Sequence, residues 1–562
     1  MKTCTLCQSS FEVLPDETAF LKKMDFKFGD QVIRLPEPTQ CPDCRNQIRT
    51  THRNERNFYH RKSDFSGKQL ISIYSPQAPW GDDYKVYSQE EWESDQWDPL
   101  SYGRDFDFSR PFFEQFAELS KAVPHRCLIT VTNENSPYTT GTGFCKNCHL
   151  INSSEYCEDC YYGKLLQRCR DCVDSDYLYD SERSYQCFNC RKCYHCVYVS
   201  YSQNCSDCWF SENLTGCKNC FLCTNLSNKQ YHFMNQPLPK AEYEKRIREF
   251  KGSHQNFEKA RAILQRLRTE RIHLYATITN SENCTGDFIQ NSKNCLDCYD
   301  VNDSEDCRYV WVGVENKDIY DCSNIFVKSQ LNYQVFGTLE TFHVAFTLYA
   351  FNSQNVLYSE LIYNSRDLFG CVGLKRKQYC IFNKQYTKEA YERLIPKIIE
   401  HMMKTGATPG GGQEWGQFFP PRFSAHGYNE TVAQEYYPRN REEVEARGWH
   451  WKKEDSEAAY QGPTVDIPDK IADVPDDITQ RILRRDKLYK IIPQELKFYR
   501  SLSLPIPRFS PDERYLQRLR LRNPRRLYAR CCMKCGQKVK STFSPDRPET
   551  IYCEKCYLPT IH

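Results

Sequence analysis

CKNCHLINSSEYCEDCYYGKLLQRCRDC, residues 145–172, sets a C-x-x-C pair every twelve residues: Cys145/Cys148, Cys157/Cys160 and Cys169/Cys172. The pairing continues as Ser181/Ser184, Cys193/Cys196, Cys205/Cys208 and Cys217/Cys220. A shorter period lies beneath it. Every third residue from Cys145 to Leu226 gives 28 positions, with 15 Cys, 6 Ser, 4 Leu, one Ile, one Val and one Gly. The other two registers carry the charges and the tyrosines. One residue in three therefore faces a narrow interior built for small side chains. A twelve-residue repeat is too short for a helical hairpin. It fits a thin β-solenoid of short strands and tight corners, in which each coil buries its face only against the next. About seven coils at roughly 4.8 Å would extend on the order of 30 Å. Asn-Ser pairs such as Asn152-Ser153 suit the corners, because Asn tolerates left-handed backbone.

The pattern returns downstream. Between Gly286 and Ile325, 13 of 14 third positions are small or apolar, with Asn316 the exception, and between Thr341 and Leu374 all 12 are. The two stretches end alike at an offset of 148: Cys223, Leu226, Lys229-Gln230-Tyr231, Asn235 and Tyr243-Glu244 match Cys371, Leu374, Lys377-Gln378-Tyr379, Asn383 and Tyr391-Glu392. Each ending runs into a helical stretch, near 240–270 and 387–403. The reading is two related solenoids, each capped by a helix.

The comparison bears on the cysteines. Ladder slots in the second stretch hold Val310, Ile319, Val344, Val356, Ile362 and Leu368. A metal ligand cannot become Val, whereas a core filler can, and a free thiol packs as a small hydrophobe. Buried thiol packing is the first reading. Metal held between adjacent pairs, such as Cys145, Cys148, Cys157 and Cys160, is the second, and disulfide rungs the third. Cys187, Cys190, Cys193 and Cys196 approach an iron–sulfur run, but the last gap is two residues and Val197 follows where Pro is usual.

The ends of the chain repeat each other. Sliding by 469 positions aligns Leu35-Pro36, Pro42-Asp43, Arg45, Arg49, Arg53-Asn54, Arg56 and Tyr59 with Leu504-Pro505, Pro511-Asp512, Arg514, Arg518, Arg522-Asn523, Arg525 and Tyr528. The first copy has Cys4, Cys7, Cys41 and Cys44, and the second has Ser510 and Glu513 in place of the latter two. The second copy has Cys532, Cys535, Cys553 and Cys556, where the first has Ser63, Ser66, Tyr84 and Tyr87. This implies an ancestral unit with two metal sites, of which each copy keeps a different one. Four thiolates at about 2.3 Å close a tetrahedral zinc shell and leave no position open for catalysis, so two Zn2+ ions are expected.

Cys4-Thr5-Leu6-Cys7, Phe11, Glu17, Phe20, Pro38 and Cys41-Pro42-Asp43-Cys44-Arg45 resemble the small treble-clef zinc-ribbon domains of bacteria, which end in a C-P-x-C-R knuckle. That resemblance covers about 45 residues. The whole chain resembles a family of cysteine-rich zinc-ribbon proteins of small-genome bacteria. The resemblance implies zinc and little about activity.

After the knuckle, Arg45, Arg49, Arg53 and Arg56 fall at helical spacing on one face, and Arg514, Arg518, Arg522 and Arg525 repeat the stripe. Residues 480–540 hold 18 Lys/Arg against 4 Asp/Glu. Such a stripe suits phosphate contact. An internal or protein partner is the second reading, and a solvated helix face the third. Residues 76–120 are the reverse, with 11 Asp/Glu against 3 Lys/Arg and Trp80, Trp92 and Trp97, which reads as a packed cap or acidic docking surface.

No stretch approaches a membrane span, the start carries no secretory core, and C-x-x-C pairs are the intracellular mark of metal binding, so a cytoplasmic protein is expected. Dinucleotide, H-E-x-x-H, G-x-S-x-G and deaminase motifs are missing, and no catalytic residue is assigned. Gly410-Gly411-Gly412 lacks the Lys-Ser/Thr of a P-loop and reads as a loop packed on the solenoid.

The expected organisation is mainly β. A zinc module (1–75) is followed by an acidic aromatic segment (76–126) and the first solenoid (127–236). A helical connector (237–272) leads to the second solenoid (273–386). A helix with a Gly/aromatic loop (387–460), a linker (461–477) and the duplicate zinc module (478–562) complete the chain. The expected function is non-enzymatic binding of nucleic acid, RNA or ribonucleoprotein before DNA, through the two arginine stripes, with the solenoids as spacers. A protein-interaction scaffold and a redox or metal-handling protein are the alternatives.

Overall fold

The computed structural model describes residues 1–76, 80, 83–325, 327–405, 413–453 and 464–561. Gly410-Gly411-Gly412 and the first residues of the 461–477 linker lie outside them. The chain is mainly β and forms two compact units, each discontinuous in sequence. The first unit comprises Met1–Leu128, Ala276–Lys453 and Arg525–Leu527; the second comprises Ile129–Tyr275, Glu454–Pro524 and Tyr528–His562.

A 12-stranded sheet carries the second unit. Its strands pair in parallel twelve residues apart: His149 opposite Tyr161, Lys164 opposite Asp176, Asp176 opposite Phe188, Val197 opposite Trp209 and Lys218 opposite Gln230. A 14-stranded sheet in the first unit keeps the same step, with Gly286 opposite Cys298, Phe342 opposite Gln354 and Arg366 opposite Gln378. One rung is a residue longer, so that Lys317 meets Gln330.

The third-position register is the buried one. Cys145, Cys148, Ile151, Cys157, Cys160 and Leu166 begin one continuous cluster, and Ile289, Cys295, Cys298 and Val301 begin the other. The residue before each inward position is left-handed, with φ +53° at Asn147, +51° at Asp159 and +50° at Asp174. Leu150, Tyr156 and Tyr162 adopt it too. At Asn152-Ser153 the corner falls on Ser153, φ +50°, and not on the Asn expected there. The twelve-residue register sets the corner, and parallel pairing on both sides outweighs a cost of roughly 1–2 kcal/mol for a side chain in that region.

The inward Ser and Cys both bond the carbonyl two residues back, and Ser also accepts from the next coil. Ser154 Oγ donates to Asn152 O at 2.7 Å and accepts from Leu166 N at 2.9 Å. Cys157 Sγ has two carbonyl acceptors for its single S–H, Glu155 O and Leu166 O, each at 3.3 Å. Burial pushes the thiols of Cys187, Cys322 and Cys380 up to about 12, so they are neutral donors at physiological pH. Cys172→Ser is therefore expected to cost less than about 1 kcal/mol, as a near-isosteric swap whose single hydroxyl proton meets the same acceptors, Arg170 O and Ser181 O. Urea unfolding checks this.

The repeated endings also coincide. Asn235 bonds both N–H and C=O of Thr224, and Asn383 does the same to Val372. Tyr231 meets Tyr243 of the helix Lys240–Arg248 edge-on at 5.7 Å, and Tyr379 meets Tyr391 of the helix Lys388–Lys404 at 5.7 Å. Each ladder thus ends on an Asn plug and a Tyr-anchored helix.

In the second unit, buried Glu212 lies 2.6 Å from Arg268 and 2.7 Å from Arg271. Burial pushes its carboxyl up, but the two guanidiniums and Ser200 bring it down to about 2. The stability this carboxylate lends is complete above about 4.5 and is lost as the pH falls towards about 2. That difference is worth about 3 kcal/mol. Thermal melts against pH should show this acid limb weakened in Glu212→Gln.

Candidate metal centres

In the first unit, Cys4 and Cys7 occupy the tight turn between strands Lys2–Thr3 and Ser10–Phe11. Cys4 N–H bonds Ser9 O at 2.9 Å, Gln8 N–H bonds Cys4 O at 3.0 Å, and Gln8 takes φ +63°. Cys41 is the N-cap of the helix Pro42–Thr50, and Cys44 lies in its first turn. Pro42 suits the first helical position, where an N–H has no partner. The helix N-terminus favours thiolate.

The second unit repeats this plan. Cys532 and Cys535 lie in the turn between strands Tyr528–Cys531 and Lys538–Ser541, and Cys553 caps the helix Glu554–Tyr557. Cys532 N–H bonds Gln537 O at 2.8 Å, and Gly536 N–H bonds Cys532 O at 2.9 Å with φ +77°, where glycine is the residue of least cost.

In each quartet the four sulfurs lie within 4.8 Å of one another. Cys7 and Cys41 Sγ are 3.8 Å apart, and Cys535 and Cys553 Sγ are 3.7 Å apart. Four sulfurs at about 2.3 Å from a central ion lie about 3.8 Å from each other, so both quartets fit a tetrahedral metal ion. The Cys41 N–H points at Cys4 Sγ, 3.3 Å away. The hydrogen bond from Cys44 brings the Cys41 thiol down to about 5. Burial pushes the Cys532 thiol up, but backbone N–H groups of Cys553 and Cys535 bring it to about 6.

Among the described residues these are the two groups with such convergence. The ladder quartet Cys145, Cys148, Cys157 and Cys160 does not converge. Each sulfur is turned to backbone oxygen, Cys145 to Gly143 O at 3.3 Å and Cys160 to Glu158 O at 3.4 Å. None of the 32 cysteines forms a disulfide, so the ladder has no disulfide rungs.

The duplication is visible in the elements. The helix Pro42–Thr50 and strands Tyr59–Lys62 and Gln69–Ser72 correspond, position for position, to Pro511–Leu519, Tyr528–Cys531 and Lys538–Ser541. Where one copy has serine at the other's cysteine position, a carboxylate bonds that serine. Glu91 accepts from Ser63 Oγ and from Ser88 N–H at 2.9 Å. Asp486 accepts from both the N–H and the hydroxyl of Ser510. The serines were legible in sequence. The distant carboxylates carry no local signal and were missed.

The arginine stripes lie elsewhere than a phosphate-binding surface requires. Arg45 pairs with Glu17 at 2.8 Å and Asp321 at 2.7 Å, and Arg49, 0% exposed, faces Asp321 at 3.7 Å. Arg53 pairs with Glu55 at 2.6 Å and lies over Phe336. Arg56 is half-buried. In the second unit Arg514 pairs with Asp174 at 2.6 Å and Glu495 at 3.1 Å. Arg518, 2% exposed, reaches Asp176 at 2.6 Å and Asp174 at 3.2 Å, and Arg522 lies over the Tyr177 ring. Arg525, in the first unit, pairs with Asp300 at 2.9 Å. Asp174 and Asp321 both occupy left-handed corners of the ladders. Burial pushes the Asp174 carboxyl up despite its arginines, which marks a costly, paired site.

The acidic aromatic segment packs as a cap within the first unit. Phe112 meets Tyr358, Phe369 and Phe382 edge-on, and both carboxylate oxygens of Glu414 accept from the first N–H groups of the helix Phe112–Ala122. Asp105 is tied to Lys384. Among the described residues, no helix is long and apolar enough to cross a membrane. No protein-family model matches the chain, and no curated protein matches it.

Proposed function

We propose that the protein is a non-enzymatic binding scaffold of two β-solenoids, each braced by a treble-clef zinc module. The observation that carries this reading is the burial of Arg45 and Arg49 against Asp321, and of Arg514 and Arg518 against Asp174 and Asp176, at the ladders. Those side chains hold module to ladder within each unit, and the binding surface is then an outer one. Zinc is the proposed metal because four thiolates at tetrahedral spacing form a closed site. The many free thiols suit a reducing compartment, hence the cytoplasm.

The test is Arg49→Lys with Arg518→Lys, which keeps charge but loses the planar fork. A brace predicts a lower melting temperature. If instead stability is unchanged while nucleic-acid affinity falls, the arginines are phosphate contacts and the scaffold reading fails.

A further inference from the structure

One row of outward residues runs along each ladder, and in both it changes character at an exposed aromatic. In the first unit the row begins Glu282, Lys293, Glu305 and Lys317. These charges neutralise each other, with Lys293 3.2 Å from Glu282 and Lys317 2.9 Å from Glu305. After Gln330 comes Phe342, 44% exposed, and then Gln354, Arg366 and Gln378. In the second unit the row begins Glu134, Lys146, Glu158, Arg170 and Glu182, with Lys146 3.3 Å from Glu134 and Arg170 3.7 Å from Glu182. Then comes Tyr194, 47% exposed, followed by Ser206, Lys218 and Gln230. The ladders are built by their inward positions, so nothing in the core asks for an exposed aromatic with a cation two rungs beyond it. Both copies have one.

In the first unit this change of character lines an open groove of about 650 Å³, floored by Ser353 and Ser365. One wall is the row from Phe342 onward. The other is the left-handed corner row Glu340, Asn352, Asn364 and Arg376. The side-chain amides of Asn352, Gln354 and Asn364 bond nothing among the described residues. The next corner row is the contrast: His343, Asn355 and Asp367 bond rung to rung at 3.1 and 2.9 Å. The lining has three cations, Arg366, Arg376 and Lys377, against one acid, Glu340. Arg366 has Gln378 at 2.9 Å and Asp367 at 4.0 Å, and Arg376 and Lys377 form no ion pair among the described residues.

We propose that this groove docks an acidic segment of a partner protein in polyproline II form. Phe342 and Arg366 are two rungs apart, about 9.6 Å. One polyproline II turn rises about 9.3 Å and brings residue i+3 back to the face of residue i. A β-strand would send i and i+3 to opposite faces. The polyproline II backbone leaves its carbonyls unbonded, and the free amides of both walls meet them. An apolar ring at i rests on Phe342, and a carboxylate at i+3 reaches Arg366, with Arg376 and Lys377 a rung beyond. The first unit already holds this chemistry against the same ladder. In Asp105-Phe106-Asp107-Phe108, Asp105 accepts from Lys384 at 2.7 Å and Phe106 packs against Phe382 at 5.7 Å. Gln385, next to Lys384, lines the groove. In the second unit Gly216 and Asn228 stand in place of Asn364 and Arg376, which makes that face the poorer copy. The proposal rests on the scaffold reading and names the chemistry of its partner.

The experiment uses the full-length, metal-loaded chain and a fluorescein-labelled peptide of three Phe-Pro-Pro-Glu repeats, read by anisotropy. Arg366→Gln/Arg376→Gln/Lys377→Gln should weaken binding about tenfold, as the loss of three exposed ion pairs allows. Phe342→Ala should weaken it about fivefold. Added salt should weaken the wild type and leave the triple variant nearly unmoved. Lys293→Gln/Lys317→Gln, cations of the same row that already have their acids, should bind as wild type. Metal content and melting temperature should not move in the triple variant. Wild-type affinity in the triple variant, equal affinity for Phe-Pro-Pro-Lys repeats, or no saturable binding of the acidic peptide would each overturn the proposal. Tighter binding of alginate, an acidic glycan, or of single-stranded RNA would overturn it too. A lowered melting temperature in Arg49→Lys/Arg518→Lys with no peptide binding by the wild type would retain the scaffold and remove this groove.

Discussion

Arg518→Gln is expected to destabilise the second unit by about 3–5 kcal/mol, the cost of leaving a buried charge without its partner. Its guanidinium bonds Asp176 at 2.6 Å, Asp174 at 3.2 Å and the carbonyl of Tyr162 at 3.0 Å. Arg514 still reaches Asp174, but Asp176 loses its ion pair. Adding Asp176→Asn removes that orphan charge and should restore part of the loss. The size of the restoration, in a double-mutant cycle, measures the pair directly. Two compact units make a single unfolding free energy ill defined. The readout must therefore belong to the second unit. Trp209 is the one tryptophan of the chain's 8 in that unit's segments, so its resonance in fluorotryptophan-labelled protein isolates the transition. A free energy unchanged to within about 0.5 kcal/mol, the range of an ordinary surface substitution, would place Arg518 on the surface.

Cys553→Ser is expected to act more locally and more completely. Removing one of four thiolates opens the shell, and in small zinc modules the metal contributes roughly 10–16 kcal/mol of apparent binding energy that is also folding energy. The strand Thr550–Tyr552, which leads into Cys553, pairs in parallel with Ile272–Leu274, with His273 opposite Ile551. Loss of the centre should free both that pairing and residues 528–541. Hydrogen exchange should show their amides deprotected while the ladder amides keep their protection. One metal ion per chain should be lost. Cys41→Ser should do the same for the first unit and leave residues 528–541 protected. Retention of both ions in Cys553→Ser would remove that residue from the ligand set.

The ladder interior was readable because its period is short and its filling chemically narrow: no charge occurs at any third position from Cys145 to Leu226. The quartets were readable from knuckle spacing, and the duplication from an unbroken register. The corners were read less well. Asn152-Ser153 looked like a turn by composition, yet Ser153 takes the left-handed conformation because the strand register leaves that position no alternative. The arginine stripes show a deeper limit. Helical spacing of Arg45 and Arg49 states that they share a face and says nothing of what that face meets. The answer, Asp321, lies far along the chain at a corner of the second ladder. Glu91 and Asp486 were hidden for the same reason, since a carboxylate that bonds a distant serine needs only reach, not spacing.

The central claim is that metal belongs to the terminal modules and that the ladders are packed by thiols that hold none. Metal content per chain on untagged protein, with a free-thiol count on the same sample after denaturation and chelation, tests it most directly. The account predicts two zinc ions, no colour, and all 32 cysteines titrating as free thiols. Four or more metal ions, a coloured sample, or thiols missing from the count would contradict it and make the ladder itself the reactive part of the molecule.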